Sequence, residues 1–455
     1  MKFKVIALIE LVLIVCLAGL LVSKFVTFGK TGPVVRAPRS PGESTLSYTP
    51  PPPPKVNVDL LKNLAKLKKA FTPTVTKITD DIYYARGFAL GGVQMVITDD
   101  GLVIVDTTES QEAAAEILAE FRKITSKPVR YIIYTHGHID HVYGSPVFME
   151  KGTEVIATED AVLFLNKDFG WLADFQNRSR HIQFGNIAED FARKKFYTSP
   201  VRIPDYAKTD NFVMPTITFD DRYVFTLGGK TFELYHTTGE TPDHLMVWLP
   251  DEKVLFCGDL YYLSFPNLHS PMLEPRPVKG WYESLDRMVE LNPEYLIPGH
   301  TEAVIGSDRV HDVLTAHSRA IRLVYEQTIA CINKGLTVEE AIQMVRLPGD
   351  LVQRPHLQEN YGRVDWSVRG IYQAETGWYD GRGTRLGPLP PEYLSRELTS
   401  LTGGVDKILA RAIELQKAGE HQIVCELCDV VISANPKDKL ARIIKANSLE
   451  LLSYQ

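Results

Sequence analysis

Cysteine is scarce. Cys16, Cys257, Cys331, Cys425 and Cys428 are the only five in 455 residues, too few and too scattered for a disulfide framework in a chain of this length. Redox compartment is therefore not legible from them, and the Cys425 and Cys428 pair, set in the helical pattern EHQIVCELCDVVISANP, reads as helix packing rather than redox or metal chemistry. Charge of one sign is also missing. The 50 Lys and Arg stand against 56 Asp and Glu for a net charge of −6 without long runs, a balance that argues against nucleic acid as a partner. Long apolar stretches are absent with one exception, MKFKVIALIELVLIVCLAGLLVSKF, where Lys2 and Lys4 precede a run from Val5 to Val22 broken only by Glu10. This reads as a signal peptide or signal anchor. No small-residue cleavage signature stands near Val22 and Ser23, which favours an anchor, whereas a mid-membrane carboxylate at Glu10 is costly. The expectation is an exported chain with N-terminal membrane association, its folded part outside the cytoplasm, or a secreted chain if the signal is cleaved.

With 44% hydrophobic and 23% charged residues the remainder has the composition of a globular protein, and its length points to two folded units. Residues 1–28 hold the export signal, and 29–75 a Pro-rich linker, with Pro50 to Pro54 as an extended spacer, followed by the helical pattern VDLLKNLAKLKKAF. Residues 76–305 carry short strand-like pieces (VQMVITDDG, LVIVDTT, PVRYIIYTH, TFELYHTT, HLMVWLP, KVLFCGD) around a helical stretch from Gln111 to Thr125, the pattern of an α/β domain. From 306 to 455 long amphipathic patterns take over, with a capping box at Thr337 and Glu340 and helix breaks at Ala418-Gly419 and Asn435-Pro436. That region suits binding or dimerisation better than catalysis.

The densest chemistry lies in YTHGHIDH, where His136, His138, Asp140 and His141 follow a strand. Extended backbone aims His136 and His138 the same way, and the next turn redirects Asp140 and His141. Imidazole with carboxylate suits zinc, manganese or iron, and shared ligands permit two ions roughly 3.5–4 Å apart.

This string resembles the His-x-His-x-Asp-His signature of the metallo-β-lactamase superfamily, and the resemblance continues in order through Asp106 in LVIVDTT, Asp259 in VLFCGD and His300 in YLIPGH. One position departs: Gly239-Glu240-Thr241 stands where that superfamily usually has Gly-His-Thr. Alkyl sulfatases of this fold carry a Glu there, in a setting that HTTGETPDH resembles. FQNRSRHIQFG is similar to their Arg-rich segment, and YGRVDWSVRGIYQAETGWYDGRG resembles the opening of their dimerisation domain. Asp259 stands where those enzymes tend to have Glu, and their sterol-carrier-like domain is not seen here; both departures leave the alkyl chain length open.

The resemblance implies an αββα sandwich over 76–305 and an α-helical dimerisation domain over 306–455, hence a homodimer. It also implies two divalent metal ions, zinc first among them, with His136, His138 and Glu240 on one, Asp140, His141 and His300 on the other, and Asp259 bridging. Asp140 and Asp259 are the expected catalytic residues. Asn267 in SFPNLHS and Arg276 in MLEPRP are the expected substrate contacts, a planar guanidinium suiting a sulfate, although Arg276 equally suits loop ordering. His236 and His244 flank Glu240 and rival it as ligands; Arg178, Arg180 and Trp281 are lesser candidates. The expected activity is metal-dependent hydrolysis of alkyl sulfate-type esters, small molecules. Lactone, carboxylic ester or β-lactam hydrolysis on the same site, or a non-enzymatic exported dimeric scaffold, are the alternatives.

Overall fold

The computed structural model describes residues 46–49, 72–183 and 212–452. The apolar run of 1–28 and most of the 29–75 linker and helix lie outside the described residues, and no described helix is long and apolar enough to cross a membrane. Among the described residues two compact units are present, one reaching to Arg382 and a second that joins residues 46–49 to those from Gly383 onward.

The larger unit is built on two sheets. The first has seven strands in chain order: β1 (Thr74–Lys77), β2 (Ile82–Arg86), β3 (Val93–Thr98), β4 (Gly101–Val105), β5 (Val129–Ile133), β6 (Glu154–Thr158) and β7 (Ile217–Phe219). It is antiparallel up to β4 and parallel from there on. The second comprises β8 (Arg222–Leu227), β9 (Lys230–His236), β10 (Leu245–Leu249), β11 (Val254–Gly258), β12 (Tyr295–Pro298) and β13 (Val304–Ile305), with β11 and β12 parallel.

Alternation along the strands sets the layers. In β4, Val103 and Val105 face the second sheet and meet Leu234, Val247 and Phe256 there. Leu102 and Ile104 point the other way, onto Ile117 and Phe121 of α1 (Gln111–Ile124) and onto Phe148. Both faces are covered, so the run GLVIV is wholly buried, as a continuous apolar strand demands. Three further helices follow on that side: α2 (Ile139–Val142), α3 (Ser145–Phe148) and α4 (Glu159–Asn166). A single π-helical turn, Lys167–Trp171, then leads into α5 (Ala173–Gln183).

The outer face of the second sheet presents Met246, Trp248, Leu255 and Cys257. It is covered by α6 (Val278–Leu291), the 27-residue α7 (Ser307–Asn333), α8 (Val338–Met344), α9 (Gly349–Val352) and α10 (Val364–Thr376), in one core with Trp281, Leu314, Ile321 and Val368. The result is the expected αββα sandwich. Residues up to Arg382 pack with the sandwich, because that apolar sheet face needs α7 to α10 as its fourth layer.

The smaller unit holds α11 (Pro391–Thr402), α12 (Val405–Lys417), α13 (His421–Ala434) and α14 (Lys439–Leu452) around Leu409, Val424, Val431 and Ile444. Cys428 is part of that core and Cys425 is buried beside it, as helix packing predicts. Tyr48 is pinned there by its hydroxyl, which donates to Gln416 Oε1 at 2.7 Å.

Candidate metal centre and substrate pocket

The expected ligands lie beyond strand ends, in loops or, for Asp140 and His141, in the short helix α2. β5 ends one residue before Tyr134, and the chain then turns through Thr135 to His141. β11 delivers Asp259, and β12, its parallel neighbour, delivers His300 at the same edge.

The turn is fixed by Asp106, which sits at φ 56° just beyond β4. Its Oδ1 accepts from Thr135 N at 2.8 Å and its Oδ2 from Thr135 Oγ1 at 2.8 Å. Oδ2 also lies 2.8 Å from His141 Nδ1. Strained backbone of this kind persists where surrounding bonds over-determine it. Asp106 is thus the orienting partner of a ligand histidine, the usual arrangement in metal sites. Gly258, at φ 48°, allows the close approach after β11, since a Cβ there would stand 2.6 Å from Thr135 Oγ1.

Two overlapping triads bring ligand atoms within 4.8 Å of one another: His136, His141 and Asp259, and Asp140, His141 and His300. His300 Nε2 lies 2.9 Å from Asp259 Oδ2 and 3.2 Å from Asp140 Oδ2. His141 Nε2 is 3.5 Å from Asp259 Oδ2, which puts Asp259 between the groups. His138 Nδ1 lies 2.8 Å from His136 Nε2, and Glu240 Oε1 lies 3.9 Å from His138 Nδ1. All seven expected ligands are therefore gathered in one place.

The donor set fits divalent ions. His141 Nε2, Glu240 Oε2 and Asp259 Oδ1 are buried without a hydrogen-bond partner, a costly state that a cation removes. Burial drives the pKa values of His136 and His138 well below the usual imidazole value, keeping both neutral as ligation requires. Burial also opposes charge on His141 and His300, but carboxylates outweigh it. Asp106, Asp259 and Asp140 hold His141 well above its ordinary value, and Asp259 and Asp140 lift His300 to about 10. The site's acidic excess thus attracts positive charge, which protons or cations supply.

The rival histidines are occupied elsewhere. His244 Nε2 accepts from Asp259 N at 3.1 Å, and its Nδ1 lies 3.3 Å from Thr237 Oγ1; it holds the backbone of Asp259. Both ring nitrogens of His236 face backbone carbonyls, Asp220 O at 2.7 Å and Pro242 O at 2.9 Å. Neither competes with Glu240.

A cavity of about 400 Å³ opens beside the ligands. It is lined by the charged or polar groups Glu240, Asp259, His300 and Arg276 and by Leu90, Ile139, Phe164, Tyr262 and Leu273. Arg276 Nη1 makes a 2.7 Å ion pair with Glu240 Oε1 and donates to Asn267 O at 2.7 Å. Burial works against the guanidinium's charge, yet Glu240 holds its pKa above the usual value. Asn267 is fully buried one layer behind: its backbone N–H donates to Tyr262 Oη at 2.7 Å and its Nδ2 to Ser270 Oγ at 3.3 Å. Arg180 lines the cavity, paired with Asp168 at 3.1 Å, while Arg178 is exposed. Trp281 is core, its indole N–H donating to Leu260 O at 2.9 Å. Phe164, Asp168, Tyr262 and Glu109 were not singled out by the sequence. They share no motif, and only the fold brings them to the cavity.

Fold and donor set together define a metallo-β-lactamase-fold protein with a candidate metal centre. Residues 87–300 match the metallo-beta-lactamase superfamily and residues 337–455 the alkyl sulfatase dimerisation family. A linear primary-alkylsulfatase of a Pseudomonas species is 33% identical over 385 residues, covering 79% of this chain and 70% of that protein. The alkyl/aryl-sulfatase BDS1 of Saccharomyces cerevisiae is 27% identical, covering 83% of this chain and 60% of its own length. Among solved structures, the stereoselective inverting sec-alkylsulfatase Pisa1 from a Pseudomonas species superimposes with a TM-score of 0.76 at 24% identity, covering 84% of this chain and 63% of Pisa1. The chain belongs to the alkylsulfatase family of the metallo-β-lactamase superfamily. It spans 70% of the first of these relatives and about 60% of the other two.

Proposed function

We propose that this protein hydrolyses alkyl sulfate esters at a dinuclear centre of two zinc ions, with the sulfate end at Arg276 and the alkyl chain along Phe164, Ile139 and Leu273. The observation that carries the reading is the pairing of Arg276 with Glu240 at the mouth of the ligand cluster. An arginine fork suited to a tetrahedral oxyanion is paired with a candidate metal ligand in a cavity that is also lined by Phe164, Ile139 and Leu273.

In this reading His136, His138 and Glu240 would hold one ion and Asp140, His141 and His300 the other, with Asp259 available to both. When bound, divalent ions acidify water and offset the ester's charge. The protein's own groups orient and exclude. Asp106 fixes His141, His244 fixes Asp259, and the Phe164 ring packs edge-on at 5.6 Å from His138, shielding that side from bulk water. Arg276 orients the sulfate. Asn267, behind it, supports the guanidinium through its carbonyl.

Zinc loading and metal-dependent release of sulfate from alkyl sulfates, set beside lactones, carboxylic esters and β-lactams, test the proposal. Turnover of a lactone or β-lactam with none of an alkyl sulfate overturns it. We further propose that the chain acts as a homodimer, supported by the dimerisation-family match at 337–455. Export, either anchored or secreted, rests on Lys2, Lys4 and the apolar run after them, and fractionation of cells expressing the full chain tests it.

A further inference from the structure

One buried carboxylate in the cavity wall is not a ligand. Glu109 is 1% exposed and lines the cavity, but its oxygens are taken up by four hydrogen bonds. Leu90 N donates to Oε1 at 2.7 Å and Oε2 at 2.9 Å, Gly91 N to Oε2 at 3.1 Å, and Thr108 Oγ1 to Oε2 at 2.9 Å. A buried carboxylate is tolerated only when its lone pairs are filled in this way. Its own position is firm, because Thr108 holds φ 63° and Ser110 caps α1 by accepting from Ala113 N.

The turn that Glu109 grips reaches the ligand cluster twice. Leu90 O lies 2.9 Å from His300 Nδ1. A carbonyl only accepts, so this bond keeps a proton on Nδ1 and turns Nε2 toward Asp140 and Asp259. Gly91 packs against Asp140 so closely that a Cβ there would stand 1.9 Å from the Asp140 carbonyl oxygen. Gly92 N then donates to Gly299 O at 2.8 Å, next to His300.

From this juxtaposition we propose that Glu109 is a positioning residue of the Asp140, His141 and His300 site, clamping the Leu90–Gly91 turn and through it the tautomer and bearing of His300. The inference rests on the dinuclear reading. It assigns a role in metal affinity to a residue that touches no ion, and outer partners of this kind affect affinity by about 10–100-fold.

The test is a chelator-competition titration of the full chain with zinc. Glu109→Gln keeps the volume but sets an amide N–H2 against the Leu90 and Gly91 N–H donors. The expected result is tenfold or greater weakening of one zinc equivalent, with the other within twofold of wild type. In a His300→Ala background the same change should weaken zinc by less than twofold, because the clamp acts through His300. Glu109→Asp, which keeps two acceptor oxygens, should recover part of the loss, and it replaces the Gln variant in the comparison if that variant does not fold. Equal zinc affinity in wild type and Glu109→Gln overturns the proposal, as does a loss shared by both equivalents or one that adds in full to His300→Ala. A wild-type chain that takes up at most one equivalent overturns the dinuclear reading itself, and this proposal with it.

Discussion

Glu240 is buried at 4% exposure with Arg276 as its cation. Removing one partner of such a pair costs about 3–5 kcal/mol because the remaining charge is stranded. Arg276→Gln should therefore lower the stability of chelator-treated protein by about 3 kcal/mol in urea unfolding. With zinc bound the loss should be much smaller, since an ion then neutralises Glu240; equal losses in both states would remove Glu240 from the metal shell. The same variant should raise KM for an alkyl sulfate about tenfold or more, as a bidentate anion contact is lost. The candidate ligands stood out at this scale because four of them crowd into six residues and Asp259 and His300 follow apolar strand-like runs, while Glu240 stood out only where the superfamily pattern departs. Glu109 did not. Its partners are backbone amides at 90 and 91, and nothing in a side-chain pattern records which carboxylate will find them.

Helix α7 carries His317, fully buried with both ring nitrogens unpartnered among the described residues. Burial, helped by His356, depresses its pKa to about 3 from 6.5. The folded chain therefore keeps His317 neutral where the unfolded chain protonates. Above about pH 6.5 this group contributes no pH dependence; between there and about pH 3 it removes about 1.4 kcal/mol of stability per pH unit. His317→Phe should flatten the acid limb of stability against pH by that slope, and an unchanged limb between pH 6 and 4 would refute it. At the end of β11, Gly258→Ala should cost about 1–3 kcal/mol in thermal unfolding through its positive φ, with wild-type stability the contrary result. Elements were largely readable from periodicity: the helix expected from Gln111 to Thr125 runs Gln111–Ile124, and the capping box at Thr337 and Glu340 is formed. The division at 382 was not readable. An amphipathic helix reveals that it has an apolar face but not which surface it covers, and α7 covers the second sheet.

At the scale of the whole molecule, that placement predicts how the chain tolerates cutting. Truncation after residue 305 strips α7 to α10 from the sheet face that holds Trp248 and Leu255 and should give aggregated protein. Truncation after Arg382 keeps the larger compact unit whole and should give a soluble monomer by light scattering, where the full chain should give the proposed dimer. A dimeric 1–382 fragment would move the association surface into the larger unit. The cavity has a further consequence. Phe164, Asp168, Gln176 and Arg180 form one of its walls, from a segment spanning α4, the π-helical turn and α5 that supplies no ligand. Selection can therefore remodel the shape and polarity of that wall residue by residue while leaving the metal cluster intact. Lineages sharing one hydrolytic centre can in this way diverge in the alcohols they release, and laboratory evolution aimed at new substrates has its natural target in residues 159–183.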